Sequence, residues 1–277
     1  MANIGFTEGQ KQRLLELGAD TAEFEGLFAN ASERDESFKI ISKTLTRKNI
    51  ARLEDFMRGR KKPLVRELEE RMRSVMLSLG FSEVVTPVLI GRSSIEKMGI
   101  SRDDHLWKQI IWVREDQCLR PMLAPNLYTI MEKLSAIGKP VKIFEVGQCF
   151  RRDTKGPLHL EEFTMMNMVE LAPSSDPKGR LLSYIEAIMS AVGLDYLIEP
   201  EYSEVYGETF DVKVKGFEVA SAAIGPKPMD ADWGIFDAWA GVGFGVERLA
   251  MLAGRHNSVT RVSRSLVYLD GNRLNVK

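Results

Sequence analysis

Residues 141–171, VKIFEVGQCFRRDTKGPLHLEEFTMMNMVEL, decide how the chain folds. Apolar and β-branched residues predict one strand over 141–146 and a second over 163–171. The polar stretch between them carries Gly156-Pro157 and reads as a loop. Strand, loop and returning strand bring Arg151, Asp153, His159 and Phe163 near one another. An arginine there offers a planar guanidinium that grips phosphate oxygens without losing its charge. A phenylalanine offers a face on which a base can stack. Taken alone, the segment also reads as an exposed hairpin with an incidental salt bridge.

Working outward, strands are expected at 210–214 and 217–224, joined across Lys215-Gly216, and a hairpin at 110–113 and 117–119 around a polar break. FSEVVTPVLI (81–90) carries Val84-Val85 before Pro87, which removes a ladder donor and suits an edge or an interface. One helix follows Pro125, with Leu127, Ile130, Met131 and Leu134. Another has Asp176 as N-cap, Pro177 at its first position and Gly193 at its stop. Pro63 opens a helix with Leu64, Leu68, Met72, Val75 and Leu79 as its apolar stripe, ended by Gly80. Upstream, Thr7 and Gln10 fit a capping box, Gly18 stops the first helix, and a charged amphipathic helix runs over about residues 32–58. Runs of strands separated by helices, without βαβ regularity, predict an α+β fold with a largely antiparallel sheet. The division expected is a helical region at 1–62 and a larger domain at 63–277.

Composition excludes several classes. With 44% apolar and 28% charged residues the chain is ordinary globular material. No apolar run approaches membrane length, and the first residues carry no secretory signal. Cys118 and Cys149 are too few for a disulfide framework. A cytoplasmic protein without a structural zinc is expected. The net charge of −1 hides segregation, since residues 47–62 hold seven basic residues against two acidic ones. That patch reads either as a solvated helix face or as a contact for polyanions. There is no G-x-S-x-G and no P-loop, and Gly241-Val-Gly243-Phe-Gly245 lacks the βαβ context of a dinucleotide turn.

A second segment favours a nucleotide. In GFGVERL (243–249), a glycine-rich strand runs into an apolar helix with Arg248 at its start. Glycine permits close approach of a ligand, and a helix N-terminus favours phosphate. In order, GFSEVVTP, FRRD…HLEEF and GFGVERL resemble motifs 1, 2 and 3 of the class II aminoacyl-tRNA synthetases. Within that class LRPMLAPNLY (119–128), KIFEVGQCFR (142–151), HLEEFTMMN (159–167), VYGETFD (205–211) and WAGVGFGVER (239–248) are similar to the pyrrolysyl-tRNA synthetase family over about residues 63–277.

The resemblance implies ligation of pyrrolysine, a long Nε-acylated lysine, to its tRNA through an aminoacyl-adenylate, with ATP and Mg²⁺ as cofactors. It assigns Arg151 to the α-phosphate and Arg248 to the γ-phosphate, with Phe163 and Arg248 sandwiching the adenine. Asp153, His159 and Leu160 complete the ATP site, with Arg151, Arg248 and His159 as the catalytic set. Glu218 and Ser221 are implied as Mg²⁺ ligands. Ala124, Leu127, Tyr128, Met131, Val169, Tyr206, Ala223, Trp239 and Gly241 are implied to line the amino-acid pocket. Asn167 supplies an amide to the substrate's side-chain carbonyl, and Tyr206 is a lid. The family usually has Glu where Asp153 stands, and FRRD and ERLAML also resemble the α-subunit of phenylalanyl-tRNA synthetase, the rival reading together with a non-catalytic paralogue. A homodimer built partly on motif 1 is implied. The chain matches a form without the long N-terminal tRNA-binding domain, or one whose counterpart is a separate protein. The tRNA is then expected to meet the N-terminal helices through Arg47, Lys48, Arg52 and Lys61.

Overall fold

The computed structural model describes residues 4–59, 61–152 and 156–274. The chain divides into two compact units, residues 1–64 with 260–277, and residues 65–259.

In the first unit, helix α1 (Glu8–Leu17) begins with the expected capping box. Gln10 N–H donates to Thr7 Oγ1 at 3.2 Å and Thr7 N–H to Gln10 Oε1 at 3.0 Å. Gly18 ends it at φ +92°, a left-handed position that costs glycine nothing. Helix α2 (Ala31–Gly59) packs on it through a small core of Phe6, Leu14, Leu17, Ala19 and Leu45. Asn49, buried in α2, donates to the carbonyls of Leu17 and Leu45 at 2.8 and 2.9 Å and accepts from Arg273 N–H at 2.8 Å. The C-terminal residues therefore pack with the N-terminal helices.

All but the first residue of α3 (Leu64–Ser78) belongs to the second unit, and this helix buries Leu68, Met72 and Met76 and leaves Val75 half-buried. Strands β1 (Ser82–Glu83) and β2 (Leu89–Gly91) follow, then α4 (Arg92–Lys97), α5 (His105–Gln109), β3 (Gln117–Leu119) and α6 (Ala124–Ser135). The long elements come next: β4 (Val141–Phe150), β5 (Glu162–Leu171), α7 (Pro177–Val192), β6 (Leu197–Ser203), β7 (Gly207–Val214), β8 (Phe217–Gly225), β9 (Trp239–Gly245) and α8 (Val246–Ala253). Seven strands form one sheet in the order β1-β4-β5-β9-β8-β7-β6. Only the β1–β4 pairing is parallel. This is the α+β, largely antiparallel architecture expected, and 141–171 forms its β4–β5 pair with Val141 opposite Leu171.

Local chemistry explains the joints. Asp176 accepts from the N–H groups of Lys178 and Gly179, capping α7, and Gly193 closes it at φ +78°. Lys215 and Gly216, at φ +51° and +81°, make the two-residue turn between β7 and β8, the kind whose twist matches its strands. Two expectations need correction, and one strand lies outside them. FSEVVTPVLI is not one strand: β1 spans two residues at the sheet edge, and Val85 is 92% exposed beyond it. Residues 110–113 form no strand, because Ile110 turns into the core and the Trp107 and Trp112 rings pack 4.9 Å apart. Only a bridge from Trp112 to Cys118 remains, and β3 pairs with β2 instead. The edge strand β6 has no sequence signal, since its largely exposed LIEPEYS carries Pro200 and no apolar alternation. Among the described residues no helix is long and apolar enough to cross a membrane.

Candidate active site

A cavity of roughly 480 Å³ opens on the sheet of the second unit. Its wall takes Ala124, Leu127, Tyr128 and Met131 from α6, and Phe163, Asn167 and Val169 from β5. Glu218, Ser221 and Ala223 come from β8, Trp239 and Gly241 from β9, and Arg248 from α8. Arg151, His159, Leu160 and Tyr206 complete it. Every expected ATP and amino-acid residue therefore lines this one space except Asp153, which lies outside the described residues.

One end is charged. Arg151 leaves β4 with its Nε donating to the Pro121 carbonyl at 2.9 Å and its guanidinium 5.4 Å from the Phe163 ring. Arg248 sits in the first turn of α8, its Nη1 3.0 Å from Glu218 Oε2 and 3.1 Å from the Glu218 carbonyl. The start of α8 is pinned by buried Glu247, whose Oε2 accepts from Thr164 N–H at 2.8 Å.

Glu218 and Ser221 are three apart on β8, and a regular strand would turn them to opposite faces. Ser221 pairs with Asp211 and Ala220 with Val212, but Glu218 pairs with Lys213, leaving Val219 without a partner. That bulge adds the one residue needed to bring both side chains into the cavity. Asp211, hydrogen-bonded to Ser221, has its carboxyl held above the ordinary range by burial and by the nearby Glu218 charge. No group of three or more His, Cys, Asp or Glu side chains suited to a metal occurs among the described residues. A carboxylate and a hydroxyl facing one space fit Mg²⁺ that takes its remaining oxygens from phosphates and water.

The other end is largely apolar. Ala124, Ala223 and Gly241 are small, and Leu127, Met131 and Val169 belong at once to the wall and to the core beneath it. Asn167 is the polar exception, its buried Oδ1 having no hydrogen-bond partner. It pairs across the sheet with Gly243, where a Cβ would stand 2.9 Å from both amide heteroatoms. The end wall is aromatic. Tyr128 and Trp239 meet edge to face at 6.0 Å, and Tyr206, at the β6–β7 tip, meets Trp239 at 5.9 Å. Burial is the largest cause pushing the Tyr128 and Tyr206 phenols well above their usual range.

Several supporting residues escaped sequence reasoning. Arg120 is buried and bonds Glu145 Oε1 at 2.7 Å, Thr86 Oγ1 at 2.9 Å and the Gln148 carbonyl at 2.7 Å, tying the Thr86-Pro87 segment to β4. Gly147 makes room for it, since a Cβ there would fall 2.2 Å from Arg120 Nη2. Gly225 lies under the Trp239 indole, where a Cβ would fall 1.8 Å from Nε1. Asp230 is 1% exposed and bonds both Tyr128 and Trp239. In sequence each is a charged or small residue in a loop or strand, with no local signal of a partner tens of residues away. In the first unit, Arg47, Lys48 and Arg52 are exposed on α2, and exposed Lys61 follows it, paired with Asp55.

Comparison with known proteins agrees with this geometry. Residues 54–222 match the family model of the phenylalanyl tRNA synthetase beta chain CLM domain. The chain is similar to the crystal structure of a pyrrolysyl-tRNA synthetase from Desulfitobacterium hafniense, 41% identical with 98% of each chain covered and a TM-score of 0.92. A second structure from that organism, also a pyrrolysyl-tRNA synthetase, matches at the same identity and coverage with a TM-score of 0.90. Among curated relatives, the histidine–tRNA ligase of Archaeoglobus fulgidus is 27% identical over 146 residues, 48% of this chain and 34% of that protein. The chain thus spans about a third of the length of the curated relatives it matches.

Proposed function

The chain belongs to the pyrrolysyl-tRNA synthetases, and carries over residues 54–222 the domain family named for the phenylalanyl-tRNA synthetase β chain CLM domain; from that membership we propose that it ligates pyrrolysine, or a similar long Nε-acylated lysine, to its cognate tRNA with ATP. The observation that carries this reading is a single cavity, charged at one end and largely apolar at the other, with the Asn167 side chain in its wall and the buried Asn167 Oδ1 without a partner.

In the first step the substrate carboxylate attacks the α-phosphorus of ATP and pyrophosphate leaves. In the second the terminal ribose hydroxyl of the tRNA attacks the acyl carbon and AMP leaves. Neither step needs a nucleophile from the protein, so the chain works by positioning and by opposing the charge that builds on phosphate. Arg151 grips the α-phosphate. Arg248 exchanges its Glu218 contact for the γ-phosphate and lies over the adenine, whose other face rests on Phe163. His159 and Leu160 close this end. Glu218 and Ser221 would hold Mg²⁺, which would neutralise phosphate charge. At the far end the Asn167 amide donates to the acyl carbonyl of the substrate.

Phenylalanine is a poorer occupant, because its side chain offers no carbonyl to accept from the Asn167 amide N–H, and buried polar contacts discriminate strongly. The tRNA phosphates meet Arg47, Lys48, Arg52 and Lys61. Two copies pair in the cytoplasm through the exposed Val85 segment. Incubation with tRNA, ATP, Mg²⁺ and an Nε-carbamoylated lysine should yield acylated tRNA by mass spectrometry, lost with EDTA. Acylation with phenylalanine in its place would overturn the reading.

A further inference from the structure

Asp230 sits in the short 3-10 turn Pro228–Trp233, its side chain buried behind Tyr128 and Trp239, which line the cavity. Oδ2 accepts from Lys227 N–H at 2.6 Å, so the acid caps its own turn. The turn is held again by Ile235 N–H donating to the Asp230 carbonyl at 3.0 Å. Capping would occupy one oxygen, yet both are committed. Oδ1 accepts from the Tyr128 hydroxyl at 2.6 Å and Oδ2 from Trp239 Nε1–H at 2.6 Å. Asp230 thereby joins a ring of α6 to a ring of β9. Both donors are buried and would otherwise lack a partner, and bonds to a buried carboxylate are short and directional.

We propose that Asp230 is the positioning residue of the amino-acid pocket, fixing the Tyr128 and Trp239 rings, and through Trp239 the ring of Tyr206, at the spacing that admits a long Nε-acylated side chain. This rests on the substrate reading above. The other side of Trp239 is set by Gly225, so the indole is held between a backbone that leaves no room and a carboxylate that fixes its N–H. Tyr206 then closes on an edge already in place. Asp230 touches neither ATP residues nor the Glu218–Ser221 pair in this network, so its effect should fall on one substrate only.

The test compares Asp230→Asn and Asp230→Ala in ATP–pyrophosphate exchange with an Nε-carbamoylated lysine. Asparagine can keep its carbonyl oxygen toward Trp239 and Lys227 and donate its amide N–H to the Tyr128 hydroxyl, preserving both ring contacts. Alanine preserves neither. Asp230→Ala should raise the KM of the lysine derivative about tenfold or more while the KM of ATP stays within about twofold, and Asp230→Asn should stay close to the parent enzyme. The Trp239 indole N–H resonance, assigned by its loss in Trp239→Phe, should move upfield in the alanine variant alone. A parallel rise in both KM values, or no change in either, would overturn the proposal.

Should Asp230→Ala fail to fold, Asp230→Asn combined with Tyr128→Phe decides. The amide N–H then faces a ring without oxygen, and the KM of the lysine derivative should exceed the product of the two single effects. Multiplicative effects would contradict the proposal. A parent enzyme that activates phenylalanine instead overturns the substrate reading alone. The same KM comparison is then made with phenylalanine, where a selective rise in Asp230→Ala supports the positioning role and an equal rise refutes it.

Discussion

Glu218 and Ser221 face one cavity across a three-residue spacing because Val219 bulges out of the β7–β8 ladder between them. The bulge, rather than the residue types alone, makes the pair a candidate Mg²⁺ site. Deleting Val219 should restore regular alternation and leave Glu218 and Ser221 two apart, still on one face, so exchange activity should survive it. Glu218→Gln should lower exchange by about 10²–10³-fold, the scale of removing one electrostatic stabiliser of a transition state, and Ser221→Ala should chiefly raise the Mg²⁺ concentration needed for half-maximal rate. Magnesium titrations of the exchange rate check all three.

Asn167 separates stability from recognition. Its Oδ1 is already buried without a partner, so Asn167→Ala removes an unsatisfied group and should leave the unfolding midpoint unchanged or raise it. The same change should cost about a hundredfold in kcat/KM for an Nε-acylated lysine, because the substrate carbonyl loses its donor. Thermal unfolding and exchange kinetics on one preparation test both halves.

Arg120 and Glu145 are both nearly fully buried and bonded at 2.7 Å. Arg120→Met should destabilise the protein by about 3–5 kcal/mol, since Glu145 would be left as an uncompensated buried charge. Adding Glu145→Gln should recover part of that loss. Denaturant unfolding of the single and double variants measures it. Gly147→Ala should also destabilise, through the clash with the Arg120 guanidinium.

The parts legible in sequence are those written locally. Thr7, Gln10 and Gly18 bound α1, and Asp176, Pro177 and Gly193 bound α7, because capping acts within a few residues. The β4–β5 and β7–β8 pairs are equally plain, since apolar runs broken by glycine-bearing turns mark the strands. The cavity residues are legible through family motifs, not through periodicity. What escapes depends on distant partners. The bulge at Val219 appears only when β7 is laid beside β8. Asp230, in a charged turn, reads as solvated until Tyr128 arrives from 102 positions away in the chain. Ile110-Ile111-Trp112-Val113 reads as a strand because β propensity cannot tell a sheet face from a core-filling loop.

The exposed bases of α2 carry a separate prediction. Arg47→Glu and Arg52→Glu should weaken tRNA binding and reduce the slope of log K against log salt by about one for each phosphate no longer neutralised. Lys61→Ala should cost less, because Asp55 already pairs with that ammonium. Filter binding across a salt series would show it, and unchanged slopes in both arginine variants would remove α2 from the tRNA interface.

Amino-acid-dependent ATP–pyrophosphate exchange, run side by side with pyrrolysine or an Nε-carbamoylated lysine and with phenylalanine, tests the proposed activity most directly. Exchange with the lysine derivatives and none with phenylalanine is the expected result. It would join the charged end of the cavity to the Asn167 end in one reaction. Exchange driven by phenylalanine alone would contradict it.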